Sequence, residues 1–278
     1  MLVDSKASAL VTLLGDNDER VRKIARKKLL EYGRELIPFL REIAQSDNEG
    51  IIRIEAQMLL EESRLQELTQ KFVSLNQARK LDLEGACFIL AKIEYADLDI
   101  PKYKRQLDEL SKEAGEVTST VTSEMQQSII LGKFLFDEKG FRGNSESYYD
   151  PQNSYINRVL DRHLGIPISL SALYLFVAKR LEIPVKGVGF PGHFLLRFSN
   201  AQTTFFIDPF NQGRILSQDD CKALINKMGY EFSDYYMNES KPRDILSRMI
   251  RNLVIVFLEA NQPKKIETLE RIFSDIIE

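Results

Sequence analysis

The sequence has 278 residues and contains no tryptophan, two cysteines (Cys87 and Cys221) and two histidines (His163 and His193). A zinc site usually takes about three or four Cys, His or carboxylate ligands, and these side chains follow no metal-ligand spacing. We therefore predict no metal and no cofactor. Two distant cysteines give no disulfide framework, which favours a reducing compartment. We expect a cytoplasmic protein.

No charge of one sign dominates, because 38 Lys+Arg stand against 41 Asp+Glu. The basic run from Arg20 to Lys28 alternates with apolar positions at helical spacing, which is typical of the solvated face of a helix. The longest uncharged stretch, Leu164 to Ala178, is shorter than the roughly 20 apolar residues of a membrane span. The first residues contain no apolar run of signal-peptide length. We expect neither a nucleic acid nor a membrane as a partner.

Residues 1–64 contain an internal repeat with a period of 31. Matching positions hold the same residue: Asp16 and Asp47, Arg22 and Arg53, Ala25 and Ala56, Leu29 and Leu60. The pattern predicts two helical pairs with Ile24, Leu29 and Met58 among the inward residues. It resembles the HEAT repeat, and a stack of two repeats is short for an independent domain.

Residues 65–240 change from helical to strand periodicity, which predicts an α+β domain. Helical patterns extend to about residue 133, and the segment Phe141–Asp150 is rich in Gly, Asn and Ser, which predicts a long loop without a regular element. A helix that is apolar nearly all round begins at Pro167 and is expected to be central to the core. Alternating patterns then predict strands at 185–190, 193–199, 203–208 and 213–216.

Residues 241–278 read as two antiparallel helices with a turn at Asn261 to Pro263. The pair resembles a single tetratricopeptide-like hairpin. Hairpins of this type and HEAT-like repeats present extended surfaces to partners, which favours an interaction role for both flanks.

The strand pattern places His193 beside Asp208. If the turn is centred between Asn200 and Ala201, the two residues are directly opposed, with Cβ atoms roughly 4.5 to 5.5 Å apart. This register also collects apolar residues on the other face: Phe194, Leu196, Phe198, Thr203, Phe205 and Ile207. A histidine oriented by an aspartate is the base of a nucleophilic triad. The alternative is a structural hydrogen bond at a sheet edge.

Three tracts carry a family resemblance: YYDPQNSYINRVLDRHLGIPISLSALYLFVAKRLEIP, GFPGHFLLRF and FFIDPFNQGR. They resemble the SirB-type family of transglutaminase-like proteins, over roughly Leu83 to Asn211. The resemblance implies a papain/transglutaminase-like core, in which a central buried helix packs on a small antiparallel sheet. The helical patterns of the sequence add flanks at the N- and C-terminal sides of this core, and the N-terminal repeats lie outside the resemblance. The resemblance also implies that His193 and Asp208 match the catalytic His and Asp of the family.

The family's catalytic cysteine has no counterpart, because the position 17 residues before Pro184 holds Pro167. Ser169 and Ser171 follow closely, and a hydroxyl could be activated by His193 if the helix started late. Cys87 lies in an apolar helical pattern, and Cys221 follows Asp219 and Asp220, whose charges would raise the pKa of its thiol. Neither cysteine fits the role of nucleophile.

The segment before the central helix supplies a candidate binding groove: Asn144, Tyr148, Tyr149, Asn153 and Tyr155. We expect a non-catalytic module that binds a protein or peptide at the former active site. The alternative is a hydrolase or acyltransferase that uses His193 and Asp208 with a serine or an activated water. A purely structural role is the third hypothesis.

Overall fold

The computed structural model describes residues 5–46, 50–77 and 81–277, with the side chains of residues 76, 77 and 275–277 left aside. Asp47, which the repeat matches with Asp16, lies outside these residues. The α-helices are α1 (Ser5–Leu13), α2 (Glu19–Glu31), α3 (Ile37–Gln45), α4 (Gly50–Gln77), α5 (Leu83–Glu94), α6 (Ile100–Thr118), α7 (Glu124–Lys133), α8 (Ile156–Arg162), α9 (Pro167–Arg180), α10 (Gln218–Lys227), α11 (Pro242–Glu259) and α12 (Pro263–Ile277). The strands are β1 (Arg142–Gly143), β2 (Leu164–Gly165), β3 (Val185–Phe190), β4 (His193–Ser199), β5 (Thr204–Asp208) and β6 (Arg214–Leu216). The chain is an α+β protein rich in helix, as predicted.

The chain divides into two compact units, residues 1–71 and 72–278. The three parts predicted from the sequence, 1–64, 65–240 and 241–278, stay predictions.

In the first unit, buried apolar residues from four helices form one core, and Leu29 and Leu59 belong to it. Ile24 and Met58 are 63% and 41% exposed, so their predicted inward orientation is wrong. The buried arc is set by residues three or four positions apart, such as Leu29 with Ala25, and Ile24 lies to one side of it.

The second unit contains a four-stranded antiparallel sheet in the order β3-β4-β5-β6. Helix α9 packs against β3 and β4 and also contacts α6, α8 and α11. It begins at Pro167, as predicted, where the missing N–H of proline leaves no helical hydrogen bond unmade. Its apolar residues are buried on several sides, and so are Ser169 and Ser171. The helix is therefore surrounded by the elements that form the site.

The loop predicted at residues 141–150 contains a short regular element, which corrects that expectation. Arg142 and Gly143 pair in parallel with Leu164 and Gly165. Glycine is needed at position 143 because a Cβ there would lie 2.5 Å from the Phe210 ring and 2.6 Å from the Phe210 carbonyl oxygen. The close approach brings the loop against the turn that follows β5.

His163 ends helix α8. It adopts the left-handed conformation at φ 56°, and its backbone N–H donates to the Val159 carbonyl. The ring stacks on Phe141 at 4.2 Å, and Nδ1 lies 2.6 Å from the Lys139 carbonyl oxygen. These contacts hold the half-buried ring against residues 139–141.

The C-terminal helices turn where the sequence predicts, because α11 ends at Glu259 and α12 begins at Pro263. Helix α11 packs against α5 and α9 as well as against α12. Its buried side chains include Leu246, Met249 and Leu253. The first helix of this pair is thus part of the core of the second unit. Within the described ranges, no helix is long and apolar enough to cross a bilayer.

We predict that Gly143→Ala destabilises the second unit by about 1–3 kcal/mol, because the new methyl group meets the Phe210 ring and backbone and cannot be accommodated without a shift. Urea unfolding measures the change. Gly132→Ala, in helix α7, is the matched control, since its nearest neighbour would be a Tyr174 ring carbon at 4.0 Å. Equal stability of the two variants would contradict the packing described for Gly143.

Candidate functional site

The strands that carry His193 and Asp208 are paired two positions away from the predicted register. Leu196 lies opposite Ile207, so the turn is centred between residues 201 and 202. Asn200 causes the shift, because its Oδ1 accepts the backbone N–H groups of Gln202 and Thr203 and holds a longer loop. His193 and Asp208 are therefore diagonal rather than opposed. A shift of two preserves the face of every side chain, so the pair still meets.

His193 and Asp208 form a buried hydrogen-bonded pair, with 3.0 Å between His193 Nε2 and Asp208 Oδ2. The two residues are 7% and 3% exposed. Asn211 adds two hydrogen bonds to the same carboxylate: its Nδ2 donates to Oδ2 at 2.7 Å, and its backbone N–H donates to Oδ1 at 3.3 Å. The carboxylate is thus held from two sides and orients the imidazole.

The pKa of Asp208 reflects opposing influences. Burial raises the pKa, while the hydrogen bond from His193, the His193 charge and the two Asn211 hydrogen bonds lower it more, so the net pKa lies below the ordinary value. Asp208 is therefore ionised at neutral pH despite its burial.

The second ring nitrogen of His193, Nδ1, has no hydrogen-bond partner in residues 5–46, 50–77 and 81–277. His193 lines a cleft of about 370 Å³ that has four walls. The loop before α8 contributes Tyr148, Tyr149 and Ser154, and the start of α9 contributes Ile166, Pro167 and Ile168. The start of β4 contributes Gly192, His193 and Phe194, and one face of α11 contributes Arg248, Asn252, Ile255 and Val256. The imidazole is a base whose free nitrogen is available to this cleft.

Pro167 stands in the wall of the cleft at the first position of α9. A thiol at such a position would be activated by the helix N-terminus and by a neighbouring imidazole. A proline ring has no proton to transfer and no nucleophilic atom. The pair of His193 and Asp208 thus faces the cleft without a nucleophile from this position.

The two nearby serine hydroxyls are engaged elsewhere. Ser169 Oγ donates to the Asn153 carbonyl at 2.6 Å and accepts the Ile166 N–H at 3.0 Å. Ser171 Oγ donates to the Pro167 carbonyl at 2.7 Å. Both residues are fully buried, and neither makes a hydrogen bond to His193 in the described part of the chain. Their contacts stabilise the first turns of α9.

Both cysteines are buried and free. Burial raises the pKa of Cys87, and the charges of Glu84 and Asp82 raise it further. Burial, Asp220 and Asp208 raise the pKa of Cys221 to about 12. Neither thiol is a thiolate at neutral pH, and neither lines the cleft.

Of the five candidate groove residues, Tyr148 and Tyr149 line the cleft with His193, and the other three lie elsewhere. Asn144 and Asn153 are buried and bonded to each other, from Nδ2 of Asn144 to Oδ1 of Asn153 at 3.1 Å. Asn153 Nδ2 also donates to the Ser147 carbonyl at 2.7 Å. Tyr155 is buried against Tyr95. The asparagines therefore shape the loop that carries the two exposed tyrosines.

Comparison with known proteins agrees with this geometry. Residues 101–251, which include α9, the sheet and both members of the pair, match the model of the transglutaminase-like superfamily. The chain belongs to the transglutaminase-like superfamily. It is 35% identical to a UPF0162 protein of Xylella fastidiosa (strain 9a5c) over 188 residues, which cover 66% of this chain and 67% of that protein.

Other relatives match shorter stretches of the chain. Human F-box only protein 21 is 34% identical over 155 residues, which are 52% of this chain and 24% of that protein. A UPF0162 protein of Vibrio cholerae is 37% identical over 94 residues, which are 34% of each protein. No solved structure gave a significant match.

Sequence reasoning missed three residues of the transglutaminase-like site: Asn211, Arg248 and Asn252. Asn211 follows Asp208 by three positions, and this spacing was a usable signal, because an aspartate often accepts the N–H groups of the turn it opens. Arg248 and Asn252 come from α11, which the sequence assigned to a flanking hairpin. Their spacing of four puts them on one helical face, but nothing in the sequence indicates that this face reaches the cleft.

The described residues contain no group of three or more His, Cys, Asp or Glu side chains arranged to hold a metal ion.

We predict that Pro167→Cys creates a reactive thiol. The new side chain would lie at the start of α9 beside the free His193 nitrogen, so iodoacetamide should alkylate it at neutral pH, while the buried thiols of the native wild type stay unmodified. Mass spectrometry of the intact protein counts the modified sites. Adding His193→Ala should slow the alkylation at pH 6 by at least about tenfold, since the thiol loses its base. Equal rates with and without His193 would contradict the proximity of the two positions.

We also predict that Asp208→Asn lowers the free energy of unfolding by roughly 1–3 kcal/mol at pH 7, because it removes a carboxylate that receives charge-assisted hydrogen bonds. The folded pKa of Asp208 is lowered, so its contribution is complete above the ordinary value of 3.8 and is lost as the pH falls through the folded pKa. The difference from wild type should therefore shrink below pH 3.8 in chemical unfolding curves. The control is Asp137→Asn, because Asp137 is exposed. A difference in unfolding free energy between Asp208→Asn and wild type that does not change with pH would contradict the lowered pKa of Asp208.

Proposed function

We propose that this protein binds a segment of a protein or peptide in the cleft at His193 and does not catalyse a reaction there. The observation that carries the proposal is Pro167 in the cleft wall, at the position where the resemblance implies a catalytic cysteine. The nearby hydroxyls are bonded to carbonyl groups, and both thiols are buried. Without a nucleophile, the cleft retains its shape and its hydrogen-bonding groups for recognition.

The composition of the cleft supports a peptide as the occupant. Tyr148 and Tyr149 are 37% and 55% exposed, and Ile255 is 49% exposed. Exposed aromatic and aliphatic side chains beside buried polar groups are typical of sites that anchor a chain by a few side chains. Tyr148 also packs edge-on against Phe210 at 5.9 Å, so its ring is fixed before a ligand arrives. A preordered aromatic wall reduces the entropic cost of binding.

The proposal also covers the type of fold, the role of the flanking helices and the cellular location. A papain-like arrangement is supported by α9 packed on β3 and β4. We infer that the chain is of the SirB type, that the HEAT-like helices of residues 1–64 and the tetratricopeptide-like hairpin of residues 241–278 each offer an interaction surface, and that the protein acts in the cytoplasm. In this role it regulates or recruits its partner.

A second candidate function is hydrolysis by an activated water. The specific observation in its favour is the free Nδ1 of His193, which could take a proton from a water in the cleft while Asp208 stabilises the imidazolium. No side chain is needed as the nucleophile in that reaction. It remains the alternative because the structure supplies a base and an orienting carboxylate.

Turnover distinguishes the two functions. We expect wild type and His193→Ala to give the same background rate on p-nitrophenyl esters and on fluorogenic peptide amides. A rate that falls at least about tenfold in His193→Ala would overturn the non-catalytic proposal and favour the water-based hydrolase.

Binding tests the recognition role directly. Full-length protein is titrated into peptides selected from an immobilised array of random hexapeptides, and affinity is measured by fluorescence polarisation. Tyr148→Ala should weaken binding by about tenfold, as expected for an aromatic anchor. Tyr235→Ala removes a tyrosine that is 75% exposed and does not line the cleft, so its affinity should match wild type. Equal loss in both variants, or no binding by wild type, would overturn the proposal.

A further inference from the structure

Arg248 is the one lysine or arginine among the described residues that line the cleft at His193. It projects from α11, and its Nη2 donates to the His193 carbonyl oxygen at 2.7 Å. Its guanidinium carbon lies 5.6 Å from the centre of the Phe194 ring. The group is therefore held against the strand that carries the histidine.

Glycine at position 189 makes room for this guanidinium. A Cβ at that position would lie 3.2 Å from Arg248 Nη1, closer than an ordinary contact. A side chain at position 189 would therefore crowd the Arg248 guanidinium, which lies next to β3. The position of the cation is built into the fold by a glycine on one element and a hydrogen bond to another.

No carboxylate pairs with Arg248 within the described ranges, although the residue is partly buried. Burial lowers the pKa of Arg248, and the nearby charge of Arg251 lowers it further. A cation withdrawn from water without an anion is unfavourable unless a ligand supplies one. A guanidinium carries five N–H donors, and one hydrogen bond to His193 leaves most of them available.

The surroundings of Arg248 favour an anion that belongs to a peptide. Asn252 is one helical turn away on α11, lines the same cleft, and makes no hydrogen bond to the described residues through its side chain. The start of α9 also faces the cleft through Ile168, whose backbone N–H has no partner in the described part of the chain. The positive end of the helix dipole adds to the attraction for an anion.

We propose that the cleft binds the C-terminal carboxylate of a peptide, with Arg248 as its charged partner and Asn252 as the residue that recognises the adjoining peptide group. This rests on the proposed peptide-binding function and names its ligand. A terminal carboxylate is planar and can accept two N–H groups of a guanidinium. It also has a peptide N–H close by, and the amide of Asn252 offers both a donor and an acceptor for this pair of groups.

The hydrophobic wall completes the recognition. Tyr148, Tyr149 and Ile255 lie around the cation in the same cleft, where they can contact the last side chains of the bound chain. An apolar side chain next to the terminal carboxylate matches this mixture of one charge and several apolar surfaces. A free inorganic anion would leave the apolar wall without a contact.

The test uses full-length protein and random hexapeptides synthesised twice on an array with exposed C-termini, once with a free C-terminal carboxylate and once with a C-terminal amide. We expect the best free-acid binders to lose at least about tenfold in affinity on amidation, because the amide has no charge for Arg248. Replacing internal Glu or Asp by the corresponding amide should change affinity by less than about threefold.

Variants of residues on α11 test which side chains bind the terminal carboxylate. Arg248→Gln should lose at least about tenfold in affinity for the free acid and little for the amide. Asn252→Ala, which removes no side-chain hydrogen bond within the described residues, should lose roughly threefold to tenfold and guards against misfolding of the first variant. Arg251→Gln is the matched control, because Arg251 lies on the same helix, packs over the Phe273 ring and does not line the cleft. It should bind like wild type.

The outcomes separate this inference from the proposed function. Equal affinity for acid and amide, or dependence on an internal acidic side chain, would overturn the terminal-carboxylate assignment and leave peptide binding intact. Affinity that falls equally in Arg248→Gln and Arg251→Gln would overturn the role of Arg248. Absence of binding to either array would overturn both.

Discussion

The hydroxyl of Ser169 is the contact on which the site depends. It donates to the Asn153 carbonyl and accepts the Ile166 N–H, so it joins the loop before α8 to the first turn of the buried helix. A helix that starts inside a core cannot leave these groups to water, and an unpaired buried group would cost about 1–3 kcal/mol. Because the hydroxyl is used in this way, the loop with Tyr148 and Tyr149 is fixed beside the cleft.

The same bond explains why the transglutaminase-like scaffold keeps its shape without a nucleophile. The start of α9 is fixed by Ser169, by Pro167 at the first helical position and by the packing of Gly165 under the helix, where a Cβ would meet Leu170 at 2.9 Å. None of these contacts needs a thiol. The His193–Asp208 pair is likewise fixed by Asn211 and the sheet. A protein with this architecture can lose the chemistry and retain the cleft.

The site combines a buried carboxylate behind the cleft with an arginine in the cleft that has no carboxylate partner among the described residues. The Asp208 carboxylate is bonded to His193 and Asn211, whereas Arg248 lines the cleft and donates to the His193 carbonyl oxygen. The two charges therefore do not pair with each other. This separation leaves the Arg248 guanidinium in the cleft together with the side chains of Tyr148 and Tyr149. Both features favour an anionic group at the end of an apolar chain.

The sequence determined much of the fold because its patterns are local. The start of α9 at Pro167, the four strands and the turn at Asn261–Pro263 follow from proline, alternation and turn chemistry. Even the register error of two residues left His193 beside Asp208, since side-chain faces repeat with a period of two. The orientation of Ile24 was not determined in this way, because several arcs of an amphipathic helix were compatible with the pattern.

The sequence by itself determined the presence of the His193–Asp208 pair and the absence of a nucleophile at Pro167. Only the tertiary structure decided that Asn153 is a structural residue, that Tyr148 is a wall of the cleft, and that α11 brings Arg248 to the same place. The physical reason is that strand alternation and helix starts are set by neighbours in the chain, whereas the approach of α11 to the strand with His193 depends on packing between residues 55 positions apart.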